Sequence, residues 1–116
     1  MDTSFVLPYC IGMGLKKSQL ADGSIRFLGN VQFAIEIIPD KSVSLFIPNF
    51  TEDAINIVDL YIEDIAKTRT LMLEIDSFVS SNPNTRFQRS IGDALTLTCS
   101  KIQSKGGHTL FLAING

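Results

Sequence analysis

The segment SKGGHT, residues 104 to 109, contains the only histidine of the chain behind a Gly-Gly pair and a lysine. Phosphate-binding and catalytic loops often have this composition, because glycine lets the backbone approach a ligand and histidine titrates near neutral pH. A phosphate loop leads into a helix, however, whereas the residues after Gly107 alternate in hydropathy as a strand does. We therefore predict a hairpin turn in which glycine supplies a positive φ, with His108 exposed beside it.

Residues of catalytic type also occur outside this loop. Cys10 would need His108 close by, and a third group to orient the imidazole, before it could act as a nucleophile. Neither Cys10 nor Cys99 has a ligand at zinc-binding spacing, and a disulfide between them would require an oxidising compartment. The segment GMG, residues 12 to 14, precedes two lysines but matches no phosphate motif. We expect no catalytic residue, no metal and no cofactor.

Charged residues are unevenly distributed along the chain. Between residues 52 and 66 there are five acids and no base, whereas residues 86–107 are mainly basic. Asp59 and Glu63 are four residues apart and would share one helix face, as a divalent-cation site or an acid-base pair requires. No third ligand is evident on a neighbouring segment, and so we interpret these acids as a solvated helix face. The molecule is predicted to be dipolar.

Length and composition limit the class of protein. A chain of 116 residues fits a single domain over residues 1–116, and a hydrophobic share of 45% is too high for a disordered chain. The net charge of −2 removes the positive field of general nucleic-acid binders, so any such contact must be local. The apolar N-terminal stretch lacks a basic start, contains Pro8 and reaches Lys16 too soon to span a bilayer. We expect a cytoplasmic protein without membrane contact.

Four segments alternate in hydropathy, as strands with one buried face do. These segments are residues 31–38, 42–47, 94–103 and 108–114. Between the first two, PDK at residues 39–41 supplies proline for the second position of a tight turn and aspartate after it. We therefore predict that the first two strands form a hairpin.

Residues 51–67 change to the helical period. Thr51 is the predicted N-cap, and two acids follow in the first turn, where the helix dipole favours them. At about 100° per residue one face is apolar, with Ile57 and Leu60 as exceptions on the polar side. The predicted packing contacts join Ile55, Val58, Ile62 and Ile65 to Phe33, Ile35, Val43 and Leu45 of the sheet.

Residues 70–79 have two interpretations. This stretch alternates in hydropathy, and continuing the preceding helix would put Arg69 and Asp76 in the apolar face, so we favour a strand. The alternative is a second or kinked helix, since no glycine occurs between Gly29 and Gly92 to end one.

The predicted fold class is α+β: an antiparallel sheet of about five to seven strands with one amphipathic helix (about 51–67) packed on one face. On the second face of this sheet, Ile38, Phe46 and Phe111 lie among small and polar residues. If they form one patch, a partner or a second copy is the natural explanation.

Three functional hypotheses follow. The first is a small intracellular, non-enzymatic interaction or assembly protein, an accessory protein that binds itself or another protein through Ile38, Phe46, Asp59, Glu63 and Phe111. The alternative is a single-stranded nucleic-acid-binding protein that uses a basic C-terminal patch of Arg86, Phe87, Arg89, Lys101 and Lys105. The second alternative is a small enzyme of unknown reaction.

Overall fold

The computed structural model describes residues 1–29, 33–92, 94–104 and 106–116, with only the backbone of Ser104. Within these residues there are three helices: α1 (Val6–Gly12), α2 (Glu52–Ile62) and α3 (Ile65–Ser81). The strands are β1 (Lys16–Gln19), β2 (Ile25–Leu28), β3 (Ala34–Ile38), β4 (Ser42–Ile47), β5 (Phe87–Ser90), β6 (Thr96–Ser104) and β7 (Gly107–Asn115). All seven form one antiparallel sheet in the order β1-β2-β3-β4-β7-β6-β5. The predicted α+β fold class is confirmed.

The sheet consists of two meanders that join at its centre. The first runs from β1 to β4 and the second from β5 to β7, while α2 and α3 carry the chain between them. β4 and β7 then pair antiparallel over their length, from Ser42 opposite Asn115 to Ile47 opposite Leu110. The two halves of the sheet are therefore joined by a non-local pairing, which no single hairpin specifies.

Two of its hairpins follow the sequence signals. In the β3–β4 turn, the amide of Lys41 donates to the carbonyl of Ile38 at 2.9 Å, and Asp40 has a φ of 62° after Pro39. In the β6–β7 turn, Gly107 has a φ of 122°, which a glycine adopts without steric cost. Both predicted hairpins are confirmed, although residues 31 and 32 of the first predicted strand lie outside the described residues.

One face of the sheet forms the core together with the helices. Inward-pointing residues of the strands, among them Ile35, Leu45 and Leu112, belong to the same buried cluster as Val58 and Ile75 of α2 and α3. α1 adds buried side chains to this cluster as well. The helices therefore lie on one side of the sheet, and we call the opposite side the outer face.

The predicted helix over 51–67 is corrected to two helices. Thr51 caps the first as predicted, accepting the amide of Ala54, but that helix ends at Ile62. Glu63 takes a left-handed φ of 58°, and Asp64 caps α3 by accepting the amide of Lys67. A left-handed residue ends a helix because the next amide can no longer follow the helical path.

The strand favoured for residues 70–79 is also wrong, and the alternative of a second helix is confirmed. These residues lie inside α3, whose buried positions recur at helical spacing: Thr68, Leu71, Met72, Ile75 and Val79. The break at Glu63 resets the helical phase, so that Arg69 and Asp76 are exposed and do not interrupt the apolar face.

The predicted packing of α2 on the sheet is roughly confirmed, since Ile55, Val58 and Ile62 all belong to the core or pack against it, but the packed face is wider than predicted. Val58 is fully buried as expected, but Ile57, which was assigned to the polar side, is also fully buried. Ile55 and Ile62 are only partly buried, and Ile65 is 41% exposed at the start of α3.

Among the described residues, no helix combines the length and the apolar composition needed to cross a bilayer.

Candidate functional site

The outer face carries every second side chain of each strand. On the central strands these residues are Ala34, Glu36 and Ile38 of β3, Ser42, Ser44 and Phe46 of β4, Thr109, Phe111, Ala113 and Asn115 of β7, and Thr96, Thr98, Ser100 and Ile102 of β6. Most are small or carry a hydroxyl group. Large apolar side chains on this face therefore need a separate explanation, because the core lies on the other side.

Four residues cross the outer face in one line, which we call the apolar row. Leu28 is paired with Ala34, Ala34 with Phe46, and Phe46 with Phe111, on four neighbouring strands. The rings of Phe46 and Phe111 are 4.9 Å apart between centroids and are inclined by 41°. Cross-strand neighbours of this kind form one continuous contact surface.

Leu28, at one end of the apolar row, is its most exposed residue. Leu28 is 45% exposed, while the two phenylalanines are partly buried because they cover each other. Beyond Phe111, Ile102 on β6 is 48% exposed and lies diagonally across from that ring, two residues from its direct partner Ser100. The apolar surface thus extends over five strands.

The row beside it is flat and uncharged at its centre. Ser44, Ala113 and Thr98 are consecutive partners across β4, β7 and β6. Towards β2 this row ends in an ion pair, in which Arg26 Nη2 donates to Glu36 Oε2 at 2.9 Å. Small side chains next to the aromatic pair allow another surface to approach closely, and the two charges of this row neutralise each other.

The structure brings together some of the residues predicted to bind a partner. Phe46 and Phe111 are direct neighbours, and Ile38 is on the same face but at the far end of β3, where it is 41% exposed. Leu28 and Ile102 were not among the predicted residues. The alternation within each strand identifies both positions, but only the register shows that they flank the phenylalanines.

Asp59 and Glu63 lie in the helix layer instead. Asp59 Oδ1 accepts the amide of Asp64 at 2.9 Å and the hydroxyl of the buried Thr68 at 2.8 Å, so this carboxylate holds the joint between α2 and α3. Glu63 is the exposed left-handed residue of the same joint. Neither residue is on the outer face.

The residues predicted to bind nucleic acid are placed around β5 and α3. Phe87 is 6% exposed and packs edge-on against Phe78 at 5.6 Å. The guanidinium group of Arg89 lies 5.0 Å from the centre of the Phe87 ring. Each of its two terminal nitrogens donates a hydrogen bond of 2.6 Å to a carboxylate oxygen of Glu74. This pairing lowers the pKa of Glu74 and raises that of Arg89.

The remaining basic residues do not join that pair in one surface. Lys101 Nζ donates to Ser80 Oγ at 3.3 Å, which directs it towards α3, and Arg86 is exposed just before β5. Lys105 lies outside the described residues. Within the described part of the basic segment, the ring of Phe87 is not accessible for stacking on a base, and the charge of Arg89 is already paired.

The residues of catalytic type are dispersed. His108 is exposed opposite Gln103 beside the β6–β7 turn, as predicted. Cys10 and Cys99 are buried free thiols; burial raises the pKa of Cys10 to about 11, and burial together with the charge of Asp76 raises that of Cys99 to about 12. Both thiols stay protonated, and therefore weakly nucleophilic, at neutral pH.

No group of three or more His, Cys, Asp or Glu side chains that could hold a metal ion occurs in the part of the chain that the structure describes. Comparison of the sequence with known protein families, with curated proteins and with solved structures gave no match. The geometry of the outer face is therefore the basis for a functional proposal.

Proposed function

We propose that this protein is a small, non-enzymatic assembly protein that self-associates through the outer face of its sheet. The observation that carries the proposal is the apolar row, in which Leu28, Ala34, Phe46 and Phe111 are consecutive partners across four strands. Two copies related by a twofold axis would each present the same row to the other, as an isologous interface requires.

The charges on the outer face favour a second copy over a partner of strong charge. The only acid of β3, Glu36, is paired with Arg26 within the same chain. Near the apolar row, Lys16 stands opposite Leu28 at the edge of the sheet. A nearly neutral interface avoids both mutual repulsion and the cost of removing unpaired charges from water.

The available area is sufficient for a stable interface. The Cα atoms span 36 × 36 × 24 Å, and we take the outer face of the seven-stranded sheet as one of the broad sides. Half of such a side is on the order of 600 Å² per copy, close to the lower end of specific protein interfaces.

The sheet edges are less suited to assembly than the face. β1 and β5 are both four-residue strands, and β1 carries two lysines, Lys16 and Lys17. Short strands with charged residues are a common protection against edge-to-edge pairing. We therefore place the contact on the outer face.

The buried free thiols Cys10 and Cys99 support a reducing compartment such as the cytoplasm.

The test compares two substitutions of the same kind at exposed leucines. Leu28 is on the outer face, whereas Leu73 is 74% exposed on α3 in the helix layer. Gel filtration with light scattering should give a dimer or larger for the wild type and for Leu73→Asp, and a monomer for Leu28→Asp. Circular dichroism of both variants checks that each remains folded.

Two outcomes would contradict the proposal. A wild-type protein that is monomeric up to about 100 μM, well above the micromolar range of moderate affinities, has no functional self-association. Binding of single-stranded DNA with a steep salt dependence, weakened by Arg86→Gln and Lys101→Gln but not by Leu28→Asp, would establish the nucleic-acid alternative in its place.

A further inference from the structure

A cleft lies in the helix layer, on the other side of the sheet from the outer face. It has a volume of about 540 Å³ and opens where the end of α2, the first turns of α3 and the end of β5 meet. Its walls include the apolar side chains of Tyr61, Ile62, Leu71 and Ile91. Small-molecule sites are typically clefts of roughly 300–1,000 Å³ with mainly apolar walls and a few polar groups.

Four charged side chains line this cleft, and three of them are already engaged. Glu74 and Arg89 bind each other through two hydrogen bonds of 2.6 Å. Asp64 Oδ1 accepts the backbone amide of Lys67 at 3.2 Å as the N-cap of α3. The ammonium group of Lys67 forms no ion pair or hydrogen bond with the described residues. A bound anion would therefore complement the cleft at Lys67.

The charges also limit what kind of anion fits. The two acids and two bases that line the cleft sum to zero, and Asp64 and Glu74 border the same space as Lys67. A monoanion paired with Lys67 would bring the net charge of the cleft to −1, whereas the two charges of a phosphate monoester would bring it to −2 beside the carboxylate of Asp64.

We propose that the cleft between α2, α3 and β5 binds a small monoanionic carboxylate with an apolar body. The apolar part contacts Ile62, Leu71 and Ile91, and the carboxylate pairs with Lys67. This site is independent of self-association, because none of the four residues of the apolar row lines it.

The first experiment is an NMR titration of the ¹⁵N-labelled protein with 4-phenylbutyrate and with its neutral amide, 4-phenylbutyramide. We expect chemical-shift changes at Ala66, Thr70 and Ile91, and an affinity for the carboxylate about fivefold higher than for the amide, the size of a solvent-exposed ion pair. Phenyl phosphate should bind more weakly than the carboxylate at a pH where it carries two charges.

Matched variants then assign the effect to Lys67. Lys67→Gln should lower the affinity for 4-phenylbutyrate about fivefold and leave that for the amide unchanged. Lys16→Gln, the same change at the opposite edge of the sheet, should have no effect. Ala66→Phe, which fills the cleft from the exposed side of α3, should abolish binding of both compounds.

Three results would overturn the proposal. They are the absence of shift changes in the cleft at roughly 10 mM ligand, beyond any useful affinity; equal affinities for the carboxylate and the amide; and changes confined to Phe46 and Phe111. Each of them leaves the test of self-association unaffected, because that test depends on Leu28.

Discussion

Leu45 and Phe46 are neighbours on β4, yet they belong to two different environments. Leu45 points into the core and is 1% exposed, whereas Phe46 points to the outer face and is only partly buried. Both have apolar partners on β3 and β7: Ile35 and Leu112 for the first, Ala34 and Phe111 for the second. The helices cover one set of contacts and leave the other at the surface.

The two faces of the sheet differ in what folding requires of them. The covered face holds large aliphatic side chains on every central strand, which is what a two-layer core needs. On the outer face, the apolar row crosses a surface of serine, threonine and alanine, and the fold does not depend on it for a core. This makes the outer face the region where a functional contact explains the residues best.

The largest expected effect is on the covered face. Leu45→Ala should lower the free energy of unfolding by about 2–5 kcal/mol, because a cavity remains where the side chain was packed. Chemical denaturation monitored by circular dichroism measures this loss, which should be the same at low and high protein concentration. A loss below about 1 kcal/mol would mean that the helices do not cover β4 closely.

The second prediction concerns the joint that holds the helix layer over the sheet. Asp59→Ala should lower the free energy of unfolding by about 1–2 kcal/mol, because the amide of Asp64 and the hydroxyl of the buried Thr68 lose an acceptor.

Asp53→Ala is the matched control for this joint. Asp53 is exposed in the first turn of α2, where the helix dipole favours its charge, and its loss should cost about 0.5 kcal/mol. If the two variants unfold at the same denaturant concentration, Asp59 does not have the structural role that its hydrogen bonds indicate.

The covered face was only partly predictable from the sequence. Alternation identified the central strands and the β3–β4 and β6–β7 hairpins, since each depends on neighbouring residues. The second helix was only the alternative interpretation, because the phase of α2 was extended through Glu63, which made Arg69 and Asp76 fall on the apolar side. Counted from the cap at Asp64, the spacing of Thr68, Leu71, Ile75 and Val79 indicates a helix directly.

The candidate site depended on information that the sequence does not contain. The alternation placed Phe46 and Phe111 on the polar side of their strands, but the two are 65 positions apart in the chain. Only the pairing of β4 with β7 makes them neighbours, and only the β2–β3 register adds Leu28. Such non-local pairings are fixed by the packing of the whole domain, and local patterns do not specify them.

The third prediction concerns the outer face. Phe46→Ala should lower the stability of the monomer by about 1 kcal/mol, because the ring is only partly buried and loses mainly its contact with Phe111. The larger effect is on assembly. If copies associate as proposed, the melting temperature of the wild type should rise with protein concentration, and the variant should lose this dependence.

Phe111→Ala should behave in the same way as Phe46→Ala, since both remove one half of the ring pair. Calorimetry at two concentrations about 50-fold apart measures the dependence, a range over which an association of micromolar strength changes its occupancy. A variant that keeps the concentration dependence of the wild type would show that assembly uses another surface.

The smallest expected effect is at the rim of the covered side, where Glu74 pairs with Arg89. The hydrogen bonds from Arg89 hold the pKa of Glu74 below its ordinary value, because they favour the ionised carboxylate. The contribution to stability is therefore present above the unfolded pKa and is lost as the pH falls through the lower, folded pKa. NMR titration of the Glu74 side chain should give a midpoint below that of an unstructured peptide, and Arg89→Gln should return it to the ordinary value.

Because both side chains of this pair are nearly half exposed, Arg89→Gln should hardly change the melting temperature at neutral pH, in contrast to Leu45→Ala. A loss of stability comparable to that of Leu45→Ala would contradict this prediction, because it would show that the Glu74–Arg89 pair belongs to the packed core.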